Sequence, residues 1–386
     1  MIIPDYKNSI VNLMSSITAS MGDKPKYKPL KQLNPKEISK YKNIIFFFLD
    51  GLGYDYLEKY GKRTLMYKHL KGKITSIFPS TTAACATSYV TGVPVQQHAI
   101  TGWTMFLKEI GTLTDILPFN LKIGGEAHSK LGIEPKIFFD QKSIYEKINR
   151  KSYTVYPNFI LHSDFNSIYM KKAHKEGFNT INGMFRKISK VLKKPGKKFI
   201  HSYWHALDSI HHATGTNSIQ SLNHIYEIDH NLQNFIKRIK GTNSLIIIAS
   251  DHGHINIPEK NYINTAKHPK LMECLTLPLS GGARYAYAYV RPSKTKQFEA
   301  YVKTKLKHCC VLKKSDELIK NNYFGLYKPH KKLYDRVVDD MLIMKENYAL
   351  MQKLPNLEPS FKKSLHGGTS SEEMYVPLIT IGANKF

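Results

Sequence analysis

Residues 43–53 read NIIFFFLDGLG. The apolar run from Ile44 to Leu49 is too continuous for a strand with one wet face. Such runs belong to strands covered on both sides, as in parallel sheets. Gly51 and Gly53 end the run, and a helical stretch is expected from about Tyr54 to Lys68. KKFIHSYW at 197–204 and SLIIIA at 244–249 are again short apolar strands. Between them, Ile219, Leu222, Ile225, Ile228, Leu232, Phe235 and Ile236 recur at helical spacing, and Gly241 closes that helix. Further strands are expected at Lys73–Phe78 and Val376–Ile381, and a helix at Thr82–Thr91 ended by Gly92. Strands alternating with helices predict a three-layer α/β/α sandwich on a mostly parallel central sheet.

The rest of the chain is fitted around that core. Residues 1–40 read as a polar lead-in with one short helix around Ser9–Ser20. Residues 41–386 read as a single domain with inserted regions at about 105–196 and 258–363, which would roof whatever site the core carries. The first holds an extra strand at Tyr153–Pro157 and a helix near Thr180–Lys193. The second holds the alternating segment ARYAYAYV at 283–290 and an amphipathic helix near Thr295–Leu306.

Acidic and imidazole side chains collect just after these strands. Asp50 ends the first. Asp208 and His212 follow the strand at 197–204, Asp251 and His252 follow the strand at 244–249, and His366 lies in SLHGG before the last strand. Ligands of open α/β sheets sit beyond the carboxyl ends of the strands. Each piece also has a plain reading. Asp50 could cap a helix, Ser80, Thr81 and Thr82 of FPSTT could be ordinary N-caps, and His366 could be a surface histidine. The four-residue spacing of Asp208 and His212 puts both on one helix face, though His201, His205 and His211 are nearby alternatives. His254 could support a neighbouring ligand. Together, three carboxylates, three imidazoles and a hydroxyl suffice for two cations and a nucleophile.

Composition narrows the setting. With 386 residues and 42% hydrophobic residues the chain can bury a large core. No apolar run approaches the roughly 20 residues needed to span a bilayer. The four cysteines form no disulfide or zinc-knuckle pattern, and the N-terminus shows no basic start with an apolar stretch and cleavage site. A cytoplasmic location is therefore expected, with export of a longer form left open. The formal charge of +27 draws anions. It is spread over KPKYKPLK, KKAHKEG, VLKKPGKK and LYKPHKK as a solvated surface, and no nucleic-acid signature accompanies it.

FFFLDGLGYD, SIFPSTTAACATSYVTGVPVQQHAITGW, HSYWHALDSIHHATG, IIIASDHGH and SLHGGTSSEEMYVPL occur in this order over residues 43–386. In that combination the chain resembles the alkaline phosphatase superfamily, in its type I phosphodiesterase/nucleotide pyrophosphatase branch. The resemblance implies an alkaline phosphatase-like core with two divalent metal ions, Zn²⁺ with Mn²⁺ or Fe as competitors. One ion would be held by Asp208, His212 and His366, and the other by Asp50, Asp251, His252 and the nucleophile Thr82, with Thr81 as runner-up. It implies hydrolysis of a small anionic phosphoester, foremost a phosphodiester, through a phosphothreonine. Nucleotide pyrophosphatase, phosphonate hydrolase and phosphomonoesterase activities are the alternatives, and an anion- or nucleic-acid-binding protein is the non-enzyme rival. The chain departs from the branch at Trp103, where the family's HGIxGN pattern carries a phosphate-contacting Asn. Trp103 either packs or offers one indole N–H to the substrate.

Overall fold

The computed structural model describes residues 1–357 and 361–383. Seven strands make the central sheet: β1 (Asn43–Leu49), β2 (Leu70–Thr75), β3 (Lys151–Pro157), β4 (His174–Phe178), β5 (Lys198–Trp204), β6 (Ser244–Ala249) and β7 (Tyr375–Gly382). Their order across the sheet is β2-β7-β6-β1-β5-β3-β4. The five from β6 to β4 are parallel, and β7 runs antiparallel to both β6 and β2.

Every residue of β1 is buried, as its composition requires. Ile44, Phe46 and Phe48 point to one face, where they pack with helices α1 (Ile10–Ala19) and α2 (Thr82–Thr91). Ile45, Phe47 and Leu49 point to the other, against α3 (Ile181–Leu192) and α5 (Ile219–Arg238). The short helix α4 (Ala206–Thr214) follows β5 directly. The three-layer α/β/α arrangement is thus the one expected. Among the described residues no helix is long and apolar enough to cross a membrane.

Several boundaries differ from the sequence reading. The lead-in is no polar tail, because α1 is buried from Ile10 to Thr18. Its serines make this possible: Ser15 Oγ donates to Val11 O at 3.1 Å, and Ser16 Oγ accepts from Leu30 N at 2.8 Å. Small self-satisfied hydroxyls let a helix be covered all round. The stretch read as one helix over 54–68 breaks at Gly61 into Tyr54–Tyr60 and Leu65–Lys68, with Thr64 capping the second piece. The strand expected at Lys73–Phe78 occupies Leu70–Thr75, and Ser76 N already bonds outside the strand to Met374 O at 2.7 Å. Within the first inserted region, β3, β4 and α3 belong to the central sheet and its helical cover.

The remaining excursions meet in a second sheet of seven antiparallel strands. Thr104–Leu107, Thr112–Asp115 and Asn120–Leu121 come from the first. Ser280–Gly282, Tyr285–Ala288, Cys310–Lys314 and Asp340–Met344 come from the second. Gly281 pairs with Thr104 and joins the two. The alternation in ARYAYAYV reflects two buried faces. Tyr285, Tyr287 and Tyr289 join the main core, while Ala286, Ala288 and Val290 pack with the helical segment around Phe298 and Val302. This second sheet is the cap over the site.

Candidate active site

β1, β5 and β6 end at one sheet edge, and they deliver Asp50, Asp208 with His212, and Asp251 with His252 to it. β7 runs the other way, so the loop before it carries His366 to the same edge. The turn after β2 brings in Thr82, the first residue of α2. Gly53 and Gly253 let the two loops meet. A Cβ on Gly253 would lie 2.6 Å from Gly53 Cα and 2.0 Å from Glu372 O.

The ligand-capable atoms of Asp50, Asp251 and His252 lie within 4.8 Å of one another, as do those of Asp208, His252, His254 and His366. His212 Nε2 is 3.3 Å from Asp208 Oδ1, His366 Nε2 is 3.7 Å from it, and His254 Nε2 is 2.8 Å from it. Asp50, Asp251 and His252 are grouped as expected, whereas Asp208 and His366 are grouped with His252 and His254, and His212 lies outside that group although it is next to Asp208.

The second ring nitrogen of each imidazole fixes what the first can do. Nδ1 donates to a backbone carbonyl in His212 (Ser364 O, 2.7 Å), His252 (Gly253 O, 3.1 Å) and His366 (Ser80 O, 3.1 Å). Ser364 Oγ donates to His211 O at 2.7 Å, so it accepts from His254 Nδ1 at 3.1 Å. In His212, His254 and His366 the neutral ring then turns the lone pair of Nε2 toward carboxylate oxygen, with no proton between them. In His252 burial is outweighed by Asp251, 3.1 Å from Nε2, which raises the His252 pKa. Burial, foremost, holds His254 and His366 well below the usual imidazole range, which keeps them neutral. Lone pairs facing lone pairs call for a cation, in the arrangement of metal-binding histidines.

The carboxylates lead to the same requirement. Asp50 Oδ1 is buried with no hydrogen-bond partner, and the buried Asp251 Oδ2 has only the ring nitrogen of His252 facing it, at 3.1 Å, among the described residues. Their companion oxygens are satisfied, Asp50 Oδ2 by the Tyr203 hydroxyl at 2.6 Å and Asp251 Oδ1 by Gly51 N and Ser250 Oγ at 3.2 Å each. Burial raises the pKa of Asp50 well above the carboxylate range, and the charges of Asp251 and Asp208 add to it. Orphaned carboxylate oxygens beside imidazole lone pairs fit divalent metal ions.

The three hydroxyls part company here. Thr82 Oγ1 lies 3.2 Å from His252 Nε2. Ser80 Oγ donates to Gly368 O at 3.0 Å, and Thr81 is the N-cap residue of α2 without a side-chain capping bond. Trp103 is 39% exposed at the mouth of the site, so it is not a core-packing residue. Of the alternative histidines, His201 is buried between the hydroxyls of Tyr145 and Tyr156, at 2.7 and 3.3 Å. His211 is buried with neither ring nitrogen bonded. His205 lines a cavity beside the site.

Two residues outside the expected set hold the His366 loop. Glu373 accepts from Arg284 at 2.9 Å through each oxygen and from Gly368 N at 2.8 Å. Arg284 belongs to the cap and is fully buried, so this pair ties cap to core. Replacing Arg284 by Met leaves a buried carboxylate unpaired and should cost about 3–5 kcal/mol in denaturant unfolding.

Two cavities flank Thr82, and Thr82, Trp103 and Asp208 line both. One, of about 390 Å³, is the more polar of the two and includes Lys122, His212, Tyr262, Gln352, Lys362 and His366. The other, of about 580 Å³, is largely apolar and includes Leu117, Tyr156, Phe159, Phe165, Tyr203 and His205.

A mostly parallel sheet thus carries a metal-fitting cluster and a helix-start threonine at its carboxyl edge, an arrangement suited to a metal-dependent hydrolase. The profile of the type I phosphodiesterase/nucleotide pyrophosphatase family matches residues 44–369, and the chain belongs to that family. No curated protein sequence matches it. Among solved structures, it is similar to murine ectonucleotide pyrophosphatase/phosphodiesterase 5, an inactive variant in complex with AMP (18% identity, TM-score 0.66, 87% of each chain covered). The human protein of that name is similar too (18% identity, TM-score 0.65, 88% of this chain and 87% of that one). Phosphonoacetate hydrolase from Sinorhizobium meliloti, in complex with phosphonoformate, follows with 16% identity and a TM-score of 0.64 over 88% of this chain and 90% of that one.

Proposed function

We propose that the chain is a phosphodiesterase that works through a phosphothreonine on Thr82. The observation that carries this reading is the position of the Thr82 hydroxyl. It lies at the start of α2, against His252, with the unpartnered oxygens of Asp50 and Asp251 in the same group. Asp50, Asp251, His252 and Thr82 would hold one divalent ion and Asp208, His212 and His366 another, with Zn²⁺ suited to the donors. Such ions lower the pKa of a bound hydroxyl and stabilise charge on a leaving oxygen.

The chain's own groups supply the rest. Thr82 Oγ1 loses its proton to solvent and forms a bond to phosphorus as the bond to the leaving oxygen breaks. The first backbone N–H groups of α2 have no helical acceptor and can receive the non-bridging oxygens. Water then cleaves the phosphothreonine and Thr82 recovers its proton.

Preference for a diester rests on the paired cavities. An ester with arms on both sides of phosphorus fills both, whereas a monoester leaves one empty. Among the described residues no arginine lines either cavity to clamp a second charge on a monoester phosphate. The apolar cavity suits an aromatic arm, and a nucleoside is one such arm. A chromogenic panel tests the reading: bis-p-nitrophenyl phosphate, p-nitrophenyl phosphate, a p-nitrophenyl phosphonate and p-nitrophenyl sulfate, each with chelator and with added Zn²⁺. The diester should turn over fastest, lose activity on chelation and regain it with metal. Chelator-insensitive turnover, or none with any ester, would overturn the reading.

A further inference from the structure

We infer that the Tyr285 hydroxyl is a catalytic hydrogen-bond donor, which holds a non-bridging oxygen of the phosphoryl group as Thr82 attacks it. The inference rests on the hydrolase reading above and adds to it a reacting group supplied by the cap. Tyr285 opens the cap strand Tyr285–Ala288 and is 1% exposed, yet it lines the more polar cavity with Thr81, Thr82, Trp103 and His366.

The ring is admitted by glycines of three separate segments. A Cβ at Gly102 would lie 2.5 Å from the Tyr285 hydroxyl. At Gly281 and Gly282 it would lie 2.9 Å and 3.0 Å from the ring edge, and at Gly367 2.7 Å from it. Approaches this close leave room for glycine alone. Gly102 belongs to the loop that carries Trp103, and Gly367 follows His366. Both loops that line the cavity beside Thr82 therefore give way to this one ring, which fixes where its hydroxyl stands.

The hydroxyl is buried with no hydrogen-bond partner among the described residues. Thr81 and the backbone of Trp103 stand beside it, and neither meets it with hydrogen-bond geometry. The next tyrosines of the segment differ. Tyr287 donates to Thr101 O at 3.2 Å, and Tyr289, also unpartnered, lines neither cavity. A buried hydroxyl left unpaired is destabilising, and one that faces a cavity gains its acceptor from what enters. Burial raises the Tyr285 pKa, against Thr81 and the Trp103 backbone, so the group keeps its proton and donates. Thr81 is the N-cap of α2, which places the hydroxyl at the helix start, where free backbone N–H groups receive phosphoryl oxygens. A donor fixed in advance where charge develops lowers the barrier most.

The test is Tyr285→Phe, which keeps the ring among its glycines and removes only the oxygen. On the full metal-loaded chain, kcat for bis-p-nitrophenyl phosphate should fall about 10²-fold with little change in KM, the signature of a contact made in the transition state. Orthovanadate, which takes up the five-coordinate geometry of the reacting phosphoryl, should bind at least about 10-fold more weakly by calorimetry. Metal content should stay the same, and the melting temperature should hold or rise, because an unpaired hydroxyl leaves the fold. Gly102→Ala keeps the hydroxyl but crowds it, and should lower kcat and vanadate affinity in the same direction. A hydroxyl with a structural role alone gives the opposite set, a lower melting temperature with kcat and vanadate affinity intact, and that result overturns the inference. Wild-type turnover separates the two claims. Vanadate binding that depends on Tyr285, without ester hydrolysis by the wild type, keeps the contact and overturns the hydrolase. Hydrolysis and vanadate binding that are both indifferent to Tyr285→Phe do the reverse.

Discussion

Thr82→Ala is expected to lower turnover of a phosphodiester by at least about 10³-fold, the scale on which loss of a covalent nucleophile is felt. Metal content should stay the same. The polar contact of Thr82 Oγ1 is with His252 Nε2, and removing the hydroxyl leaves the carboxylates of Asp50 and Asp251 and the ring of His252 as donors. The fold should be indifferent as well, since alanine is the better helix former at the first position of α2. Thr82→Ser keeps a hydroxyl and should restore part of the activity. Thr81→Ala is the necessary control, because the adjacent hydroxyl is the rival nucleophile. Its side chain makes no capping bond, so its loss is equally mild for the helix. Wild-type turnover in Thr82→Ala with collapse in Thr81→Ala would move the nucleophile by one residue. Full turnover in both would remove the phosphothreonine path. Elemental analysis of the purified variants distinguishes lost chemistry from lost metal.

The legible parts of the fold share a physical property. β1, β5 and β6 are buried on both faces, so their composition alone marks them, and each is followed by the side chain that the site uses. β4 is an edge strand reading HKEGF, with four of its five residues only partly buried or exposed, and no apolar run announces it. Its sequence, and that of β3 beside it, therefore looks like part of an insertion. The cap sheet was illegible for a different reason. It depends on Gly281 meeting Thr104, a pairing between distant segments that no local period records.

Within the site, the Asp and His residues were readable because strand ends gather them at one edge. His254 was read only as a support, since sequence does not show that its Nε2 reaches Asp208 at 2.8 Å. Tyr203 carries no signal of its own in the sequence, although it is the penultimate residue of β5 and its hydroxyl donates to Asp50. Arg284 and Glu373 were equally silent, because their partnership joins the cap to the His366 loop across the fold.

These omissions have one cause. Ligands are supplied by the sheet and recur at strand ends, whereas selectivity and anchoring come from the cap, through contacts between segments far apart in the chain. The cap strand at Thr104–Leu107 and the strand at Tyr285–Ala288, which lies next to Arg284, both border the more polar cavity. Substitutions at the sheet edge are therefore expected to change turnover, and substitutions in the cap, Tyr285 aside, to change substrate preference, which a substrate panel run on both kinds of variant checks.

Asp251→Asn should separate the cost of the metal-binding cluster from its use. Asparagine is nearly isosteric, so it opens no cavity, and its side-chain oxygen can keep the bonds from Gly51 N and Ser250 Oγ. What it removes is one of the crowded carboxylate charges. Asp50 has its pKa raised on folding by burial, then by Asp251 and Asp208. An acid of that kind binds its proton more tightly in the fold than in the unfolded chain. Its contribution to stability is present at low pH and is lost as the pH rises toward the folded pKa. At neutral pH the metal-free protein therefore carries repulsion among three carboxylates that Asp251→Asn relieves, set against the attraction of Asp251 for His252, 3.1 Å away, that it removes. In the presence of chelator the variant should melt at or above the wild type. With metal the order should reverse, because the wild type gains the binding free energy, about 2.7 kcal/mol when metal is at 100 times its Kd, and the variant gains much less. Metal affinity at Asp50 and His252 should fall by more than about 100-fold, beyond what loss of a supporting residue costs. Two melting curves per protein decide the matter. A chelated variant that melts below the chelated wild type would mean that Asp251 stabilises the bare fold, and that its unpartnered oxygen is not waiting for a cation.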